Sequence, residues 1–231
     1  MNISQLTLSI SLRDDATFAN YFAGRNEQLL KDLFVMANGR GEKFVYLWGQ
    51  LGSGRTHLLH ACCHAAGKRK LSAIYLPLND IDNLQPDILD DLEKMYLVCV
   101  DGFDKIAGKS IWEEAFLNFF NRMREEEKRL IIASDAAPQD VGILLPDLVS
   151  RLKSGMAFQI QELTDAERIQ ALILHAKARG LILPKEVAQF LWRRWPRDMA
   201  SLFAVLEKLD QASLEAKRRL TIPFVKLVLG I

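Results

Sequence analysis

Short, continuously apolar runs alternate with longer stretches of helical period through the first two-thirds of the chain. The run KFVYLWG (43–49) predicts a buried strand that stops at a cluster of glycines, and RTHLLHACCHAA (55–66) predicts the helix after it. SAIYLPL (72–78) predicts the next strand, DILDDLEKM (87–95) a helix, and YLVCVDGF (96–103) a buried strand that ends on an acid. SIWEEAFLNFFNRMREEEK (110–128) sets apolar residues on one helical face and charges on the other. RLIIASD (129–135) returns to strand, and FQIQEL (158–163) predicts a last one. Strands that alternate with helices need crossover connections, so the sheet is expected to be parallel and covered on both faces. The fold class is therefore α/β, in three layers.

Beyond 163 the pattern is helical throughout: TDAERIQALILHAKARG, PKEVAQFLWRRW, PRDMASLFAVLEKLDQAS and TIPFVKLVLG. Thr164 with Glu167 reads as a capping box, Gly180 as a helix stop, and Pro184, Pro196 and Pro223 stand at or near helix starts. The expected organisation is an N-terminal tail at 1–11, an α/β domain at 12–163 and a small helical domain at 164–231.

Composition narrows the class. Of the 231 residues 49% are hydrophobic and 26% charged, enough apolar material for a sizeable core. The net charge of +1 supplies no global field to recruit nucleic acid or an anionic membrane, and the helical domain has only a mild basic excess. Cys62, Cys63 and Cys99 lie in apolar runs at no disulfide or zinc spacing, which fits a reducing compartment. The first residues have neither a basic region nor a continuous apolar stretch, and no run reaches the roughly 18 apolar residues of a membrane span. The expectation is a soluble, cytoplasmic protein.

The candidate chemistry starts at LWGQLGSGRTHLLHA (47–61). Gly49, Gly52, Gly54 and Thr56 follow the phosphate-loop pattern G-x-x-x-x-G-K-[ST], with Arg55 where that pattern has lysine. Such a loop turns backbone N–H groups inward around phosphate oxygens, and the following helix adds its positive end. Gly49, Gly52, Ser53, Gly54, Arg55, Thr56 and His57 are the candidate nucleotide contacts. The bulkier, planar guanidinium of Arg55 keeps the charge but not the point-charge role of lysine. Thr56 and Asp101, the acid ending its strand, are the candidate Mg²⁺ contacts. A second acid after Asp101 would polarise an attacking water, and Gly102 stands there; Asp104, two residues on, is not expected to point to the same place. Nucleotide is therefore expected to be held and scarcely hydrolysed. His57, His60 and His64 share a helix without a further ligand placed nearby, and read as surface or sheet-packing residues. Cys62, Cys63, Phe116, Phe119 and Phe120 read as core.

TFANYFAGRN (17–26), GSGRTHLLHA (52–61), VDGFDKIAGK (100–109), LIIASD (130–135), LPDLVSRL (145–152), RDMASLF (197–203) and the ending RLTIPFVKLVL occur in the order of a known family. The chain resembles the AAA+ ATPase core of the bacterial replication initiator DnaA, and most of all the shorter DnaA homologues that work with the sliding clamp. The resemblance implies that Arg151 is an arginine finger acting on a neighbour's nucleotide; on the residues alone it could equally cap its helix or pair with Asp147. It also implies that Asp135 holds the sensor 1 position and Arg197 the sensor 2 position of the lid, as the helical domain is called in this family. The family has a further arginine four residues before the finger, and Asp147 stands there, so the partner contact need not be identical. An initiator would continue into an origin-reading helix-turn-helix domain, and this sequence stops at the lid, so sequence-specific DNA binding is not expected.

QLTLSI (5–10) fits either an edge strand or a clamp-docking motif, and the resemblance favours docking through Gln5, Leu6 and Leu8 on the DNA polymerase III sliding clamp (beta subunit). The expected role is a non-enzymatic regulator that holds ADP, or another nucleoside diphosphate, and presents Arg151 to ATP on DnaA. Self-association is also in keeping with the family. The alternative is a DnaA-related ATPase acting as a helicase loader or initiation adaptor.

Overall fold

The computed structural model describes residues 12, 15–196 and 198–231. In chain order the elements are α1 (Glu27–Ala37), β1 (Phe44–Trp48), α2 (Arg55–Lys68), β2 (Ala73–Pro77), β3 (Leu97–Asp101), α3 (Ser110–Glu125), β4 (Arg129–Ser134), α4 (Pro146–Leu152) and β5 (Met156–Gln159). The helical domain follows with α5 (Asp165–Ala178), α6 (Lys185–Arg194), α7 (Met199–Ala216) and α8 (Ile222–Leu229). The five strands form one sheet in the order β2-β3-β4-β1-β5, with every pairing parallel. This is the three-layer α/β class that the alternating pattern implies.

Period-two alternation sorts the strand side chains between two cores. Val45, Leu47, Cys99, Ile131 and Ala133 face α1 and α2, where Leu58, Leu59, Cys62 and Cys63 close the layer. Tyr46, Val98, Val100, Leu130 and Ile132 face α3, whose Phe116, Phe119 and Phe120 pack beneath them. The central strands β3 and β4 are buried along their whole length, whereas edge strand β5 alternates between half-buried and exposed residues. A third core, built on Leu172, Leu191, Leu202 and Leu206, belongs to the helical domain alone.

Two elements depart from the sequence pattern. Residues 87–95 are not one helix: two 3₁₀ turns, Pro86–Leu89 and Leu92–Lys94, flank Asp91 at φ +67°. Arg122 holds this segment against α3 through the Leu89 carbonyl and Glu93 Oε2, both at 3.0 Å, and so competes with helical hydrogen bonding. The last strand is Met156–Gln159, earlier than the 158–163 run, because pairing with Val45–Trp48 ends where β1 enters the glycine loop. Helix α1 had no counterpart in the pattern reading.

At the junction with the helical domain, Asn26 exchanges hydrogen bonds of 2.9 and 2.7 Å with the Gln161 backbone, and Arg168 pairs with Glu162 at 3.3 Å. The Thr164–Glu167 capping box is present. Among the described residues, no helix is long and apolar enough to cross a membrane.

Candidate functional site

The loop between β1 and α2 crosses the C-terminal ends of the parallel strands. Gly54 caps α2 in the left-handed region at φ +95°, and a Cβ there would come within 2.7 Å of Tyr21. Tyr21 braces the loop by donating its hydroxyl to the Ser53 carbonyl at 3.2 Å. Its ring lies 5.4 Å from that of His57, and His57 Nε2 is 2.9 Å from the Thr17 carbonyl oxygen. The His57 imidazole thus joins the helix to segment 17–21 rather than facing into the loop. His60 is buried and stacked 4.1 Å from Tyr75, a sheet-packing role.

Below the loop, Thr56 Oγ1 donates to Asp101 Oδ2 at 2.6 Å, and Tyr75 Oη donates to the same oxygen at 2.9 Å. Burial and the neighbouring carboxylate push the Tyr75 hydroxyl upward, so it remains a neutral donor. Two donors on one oxygen fix the carboxylate, which is 5% exposed. Sequence reasoning paired Thr56 with Asp101 but missed Tyr75, whose only signal is one hydroxyl in an apolar strand.

Gly102 follows Asp101 in the left-handed region at φ +72°, and a Cβ would press within 2.6 Å of Asn79 Oδ1. This backbone resists the second acid of a hydrolysing site. The 3₁₀ turn Phe103–Ile106 then folds Asp104 back over β4, where Oδ1 lies 3.4 Å from the Asp135 backbone N–H. Asp104 therefore stays at the loop end of the sheet, closer to the site than its spacing implies. Asp135 is exposed just beyond β4.

Two polar atoms at the loop, Ser53 Oγ and Arg55 Nη1, are buried without a hydrogen-bond partner among the described residues. Leaving such a group unmade costs about 1–3 kcal/mol, and phosphate oxygens would satisfy both. An open groove of about 430 Å³ lined by Arg25, Trp48, Gln50 and Asp135 flanks the loop, and a cavity of about 150 Å³ lined by Ser53, Leu163, Arg168 and Met199 lies between loop and helical domain. The residues present thus fit the phosphates of a nucleotide. Thr56 and Asp101 offer the hard oxygen donors that suit Mg²⁺.

Arg151 is elsewhere. It occupies the last turn of α4, from which the chain turns into the N-terminal end of β5, whereas the phosphate loop leaves the C-terminal end of neighbouring β1. The residue is half-buried, and its guanidinium makes no hydrogen bond or ion pair among the described residues, with Asp147 or any other acid. The approach to α4 is fixed by Glu113, 1% exposed, whose carboxylate accepts the backbone N–H groups of Gly108 at 2.8 Å, Leu144 at 3.0 Å and Leu145 at 2.8 Å. The pattern reading had no means to single out Glu113, which looks like one more acid on a charged helix. Gln5, Leu6, Leu8 and Arg197 lie outside the described residues.

Residues 12–159 match the model of the bacterial DnaA ATPase domain, and residues 165–229 match that of the Hda lid domain. The chain belongs to the bacterial DnaA ATPase family. Within it, this is a Hda-type DnaA homologue of AAA+ fold. Domain III of the Thermotoga maritima replication initiation protein DnaA superposes with a TM-score of 0.78 at 21% identity, over 95% of this chain and 98% of that one. A replication initiator DnaA bound to AMPPCP and single-stranded DNA gives 0.72 at 25% identity, over 89% and 67%. The Thermotoga maritima RuvB Holliday junction branch migration motor gives 0.63 at 14% identity, over 93% and 73%, a likeness of fold alone.

Proposed function

We propose that this DnaA-family chain is a regulator of replication initiation that holds ADP, or another nucleoside diphosphate, and acts on ATP bound to DnaA. The phosphates sit on the backbone of Gly49–Gly54, with Ser53 Oγ and Arg55 Nη1 supplying the hydrogen bonds that are otherwise unmade. Thr56 and the Tyr75-supported Asp101 hold Mg²⁺ with its waters. Bound nucleotide supplies the negative charge that satisfies the loop and α2; it is scarcely hydrolysed here, because Gly102 and Arg55 stand where a hydrolysing site has its second acid and its lysine. Asp135 and, from the lid, Arg197 complete the contacts. Gln5, Leu6 and Leu8 dock on the DNA-loaded sliding clamp, which brings the chain to its target, and self-association is a competing use of the same AAA+ surfaces.

The observation that carries this reading is the placement of Arg151. A guanidinium unpaired among the described residues, at the end of the sheet opposite its own phosphate loop, is poorly placed for nucleotide on its own chain and available to nucleotide on a neighbour. Offered to the γ-phosphate of DnaA-bound ATP, it stabilises the charge that develops as the terminal bond breaks, an effect of about 10³ to 10⁵ in rate for arginine supplied in trans.

The test is ATP hydrolysis by DnaA in the presence of clamp loaded on DNA. Arg151→Ala should return hydrolysis to the unstimulated rate while leaving melting temperature and ADP affinity unchanged. Stimulation that survives in this variant sinks the assignment, and steady ATP turnover by the isolated chain at about 1 s⁻¹ or faster, an ordinary enzymatic rate, favours a helicase loader instead.

A further inference from the structure

The ends of β1, β3 and β4 bring together side chains that the loop pattern does not connect. Asp104 Oδ1 lies 3.4 Å from the Asp135 backbone N–H, and Oδ2 lies 2.7 Å from Lys105 Nζ. The Tyr46 hydroxyl stands in the field of Asp104, Asp135 and Arg55, and the same three charges act on Lys105. Asp135 lines the groove beside Gly49 and Gln50 of the loop, and Nη1 of Arg55, the first residue of α2, is buried without a hydrogen-bond partner among the described residues.

In a phosphate loop the cation at this position reaches the β- and γ-phosphates. Arg55 therefore marks where the far end of a polyphosphate comes, on the side of the loop where Asp135 lines the groove and Asp104 accepts from the Asp135 backbone N–H. Arg55 and Lys105 balance Asp104 and Asp135, and Lys105 is committed to Asp104 at 2.7 Å. A β-phosphate lies on the loop amides and relieves Arg55. A third phosphate adds negative charge beside Asp104, whose side chain is only 12% exposed, where like charges repel more strongly than in water.

We propose that Asp104 is a specificity-determining residue that admits a nucleoside diphosphate and disfavours a third phosphate. The inference rests on the reading that this loop holds a nucleotide. It assigns a use to the 3₁₀ turn Phe103–Ile106: the acid absent at 102 is returned to the site two residues later, on the γ-phosphate side, as a barrier.

Calorimetric affinities of the full chain for ADP and for the non-hydrolysable triphosphate AMPPCP test it. The native protein should bind ADP at least about tenfold more tightly than AMPPCP. Asp104→Asn keeps the size and the acceptor for the Asp135 N–H; it should tighten AMPPCP about tenfold and move ADP by less than about threefold. Lys105→Met, which leaves Asp104 uncompensated, should weaken AMPPCP further and serves as the readout if Asp104→Asn does not fold. An ADP-to-AMPPCP ratio that neither variant moves overturns the inference and leaves the nucleotide reading standing. A native protein that binds neither ligand overturns that reading and this inference with it.

Discussion

At the C-terminal ends of β1 and β3, Thr56 and Tyr75 both donate to Asp101 and segment 17–21 braces the loop, whereas at the opposite end of the sheet Arg151 leaves α4 without an ion pair among the described residues. The first arrangement suits holding: its polar groups are tied to buried strands, so removing one disturbs the fold and the ligand together. The second suits acting on something outside the chain, because the group is supported by buried Leu148 and Leu152 on its helix and contributes little to stability itself. A regulator built this way can lose its effect on a partner without losing its own ligand. The two ends are linked by Glu113, which fixes the start of α4 near the loop end while the finger lies at the other.

That link gives the largest expected effect on stability. Glu113→Ala removes the acceptor of three backbone N–H groups, and the fold should lose roughly 3 kcal/mol in chemical denaturation, since buried donors left unpaired each cost about 1 kcal/mol or more. Arg151→Ala, by contrast, should cost no more than about 0.5 kcal/mol, because the half-buried side chain makes no hydrogen bond or ion pair among the described residues. A small loss for Glu113→Ala would mean that water replaces the carboxylate and that α4 is positioned by its apolar face alone.

A smaller effect separates holding from folding at the loop end itself. Tyr75→Phe deletes one of the two donors to Asp101 Oδ2 and should cost about 1 kcal/mol of stability, together with a few-fold loss of Mg²⁺-dependent nucleotide affinity. The affinity change should vanish when titrations are repeated in EDTA, because Asp101 serves the cation. An equal loss with and without Mg²⁺ would assign Tyr75 to packing against His60 instead.

Periodicity made the layers of this fold legible, because burial on both faces gives β3 and β4 continuous apolar runs that no polar residue interrupts. It failed at 87–95, where Asp91 adopts a left-handed backbone and a distant arginine captures the Leu89 carbonyl; neither is visible in local spacing. The loop residues and Asp101 were legible because their chemistry requires a fixed order along the chain. Tyr75 and Glu113 were not, since each acts through a partner 26 to 32 residues away. The surroundings of Asp104 were not legible for a related reason: the chain leaves the strand at Gly102 and turns, which brings its carboxylate to the Asp135 backbone N–H.

The smallest expected effect lies at the junction with the lid, on the loop side of the comparison. Glu167 accepts the Thr164 backbone N–H at 2.7 Å and the Thr164 hydroxyl at 2.8 Å, and these bonds, the backbone one first, hold its carboxyl below the ordinary carboxylate value. A carboxyl lowered in the folded state favours folding above the unfolded value of 4.5, and that contribution is lost as pH falls through the lowered folded value. Glu167→Gln should therefore track the native protein less and less closely as pH rises from about 3 to 6, with a difference in Tm of no more than about 2 °C because the group is solvent-exposed and screened. The two proteins should converge at the acid end, where native Glu167 is itself protonated and can no longer accept from Thr164 as a carboxylate. Adding about 0.5 M salt should narrow the gap at pH 6 if charge is its source, since exposed charges are screened within a few ångströms there. A difference in Tm that persists unchanged to pH 3, or that salt does not reduce, would place the role of Glu167 in the packing of its side chain and not in the ionised cap.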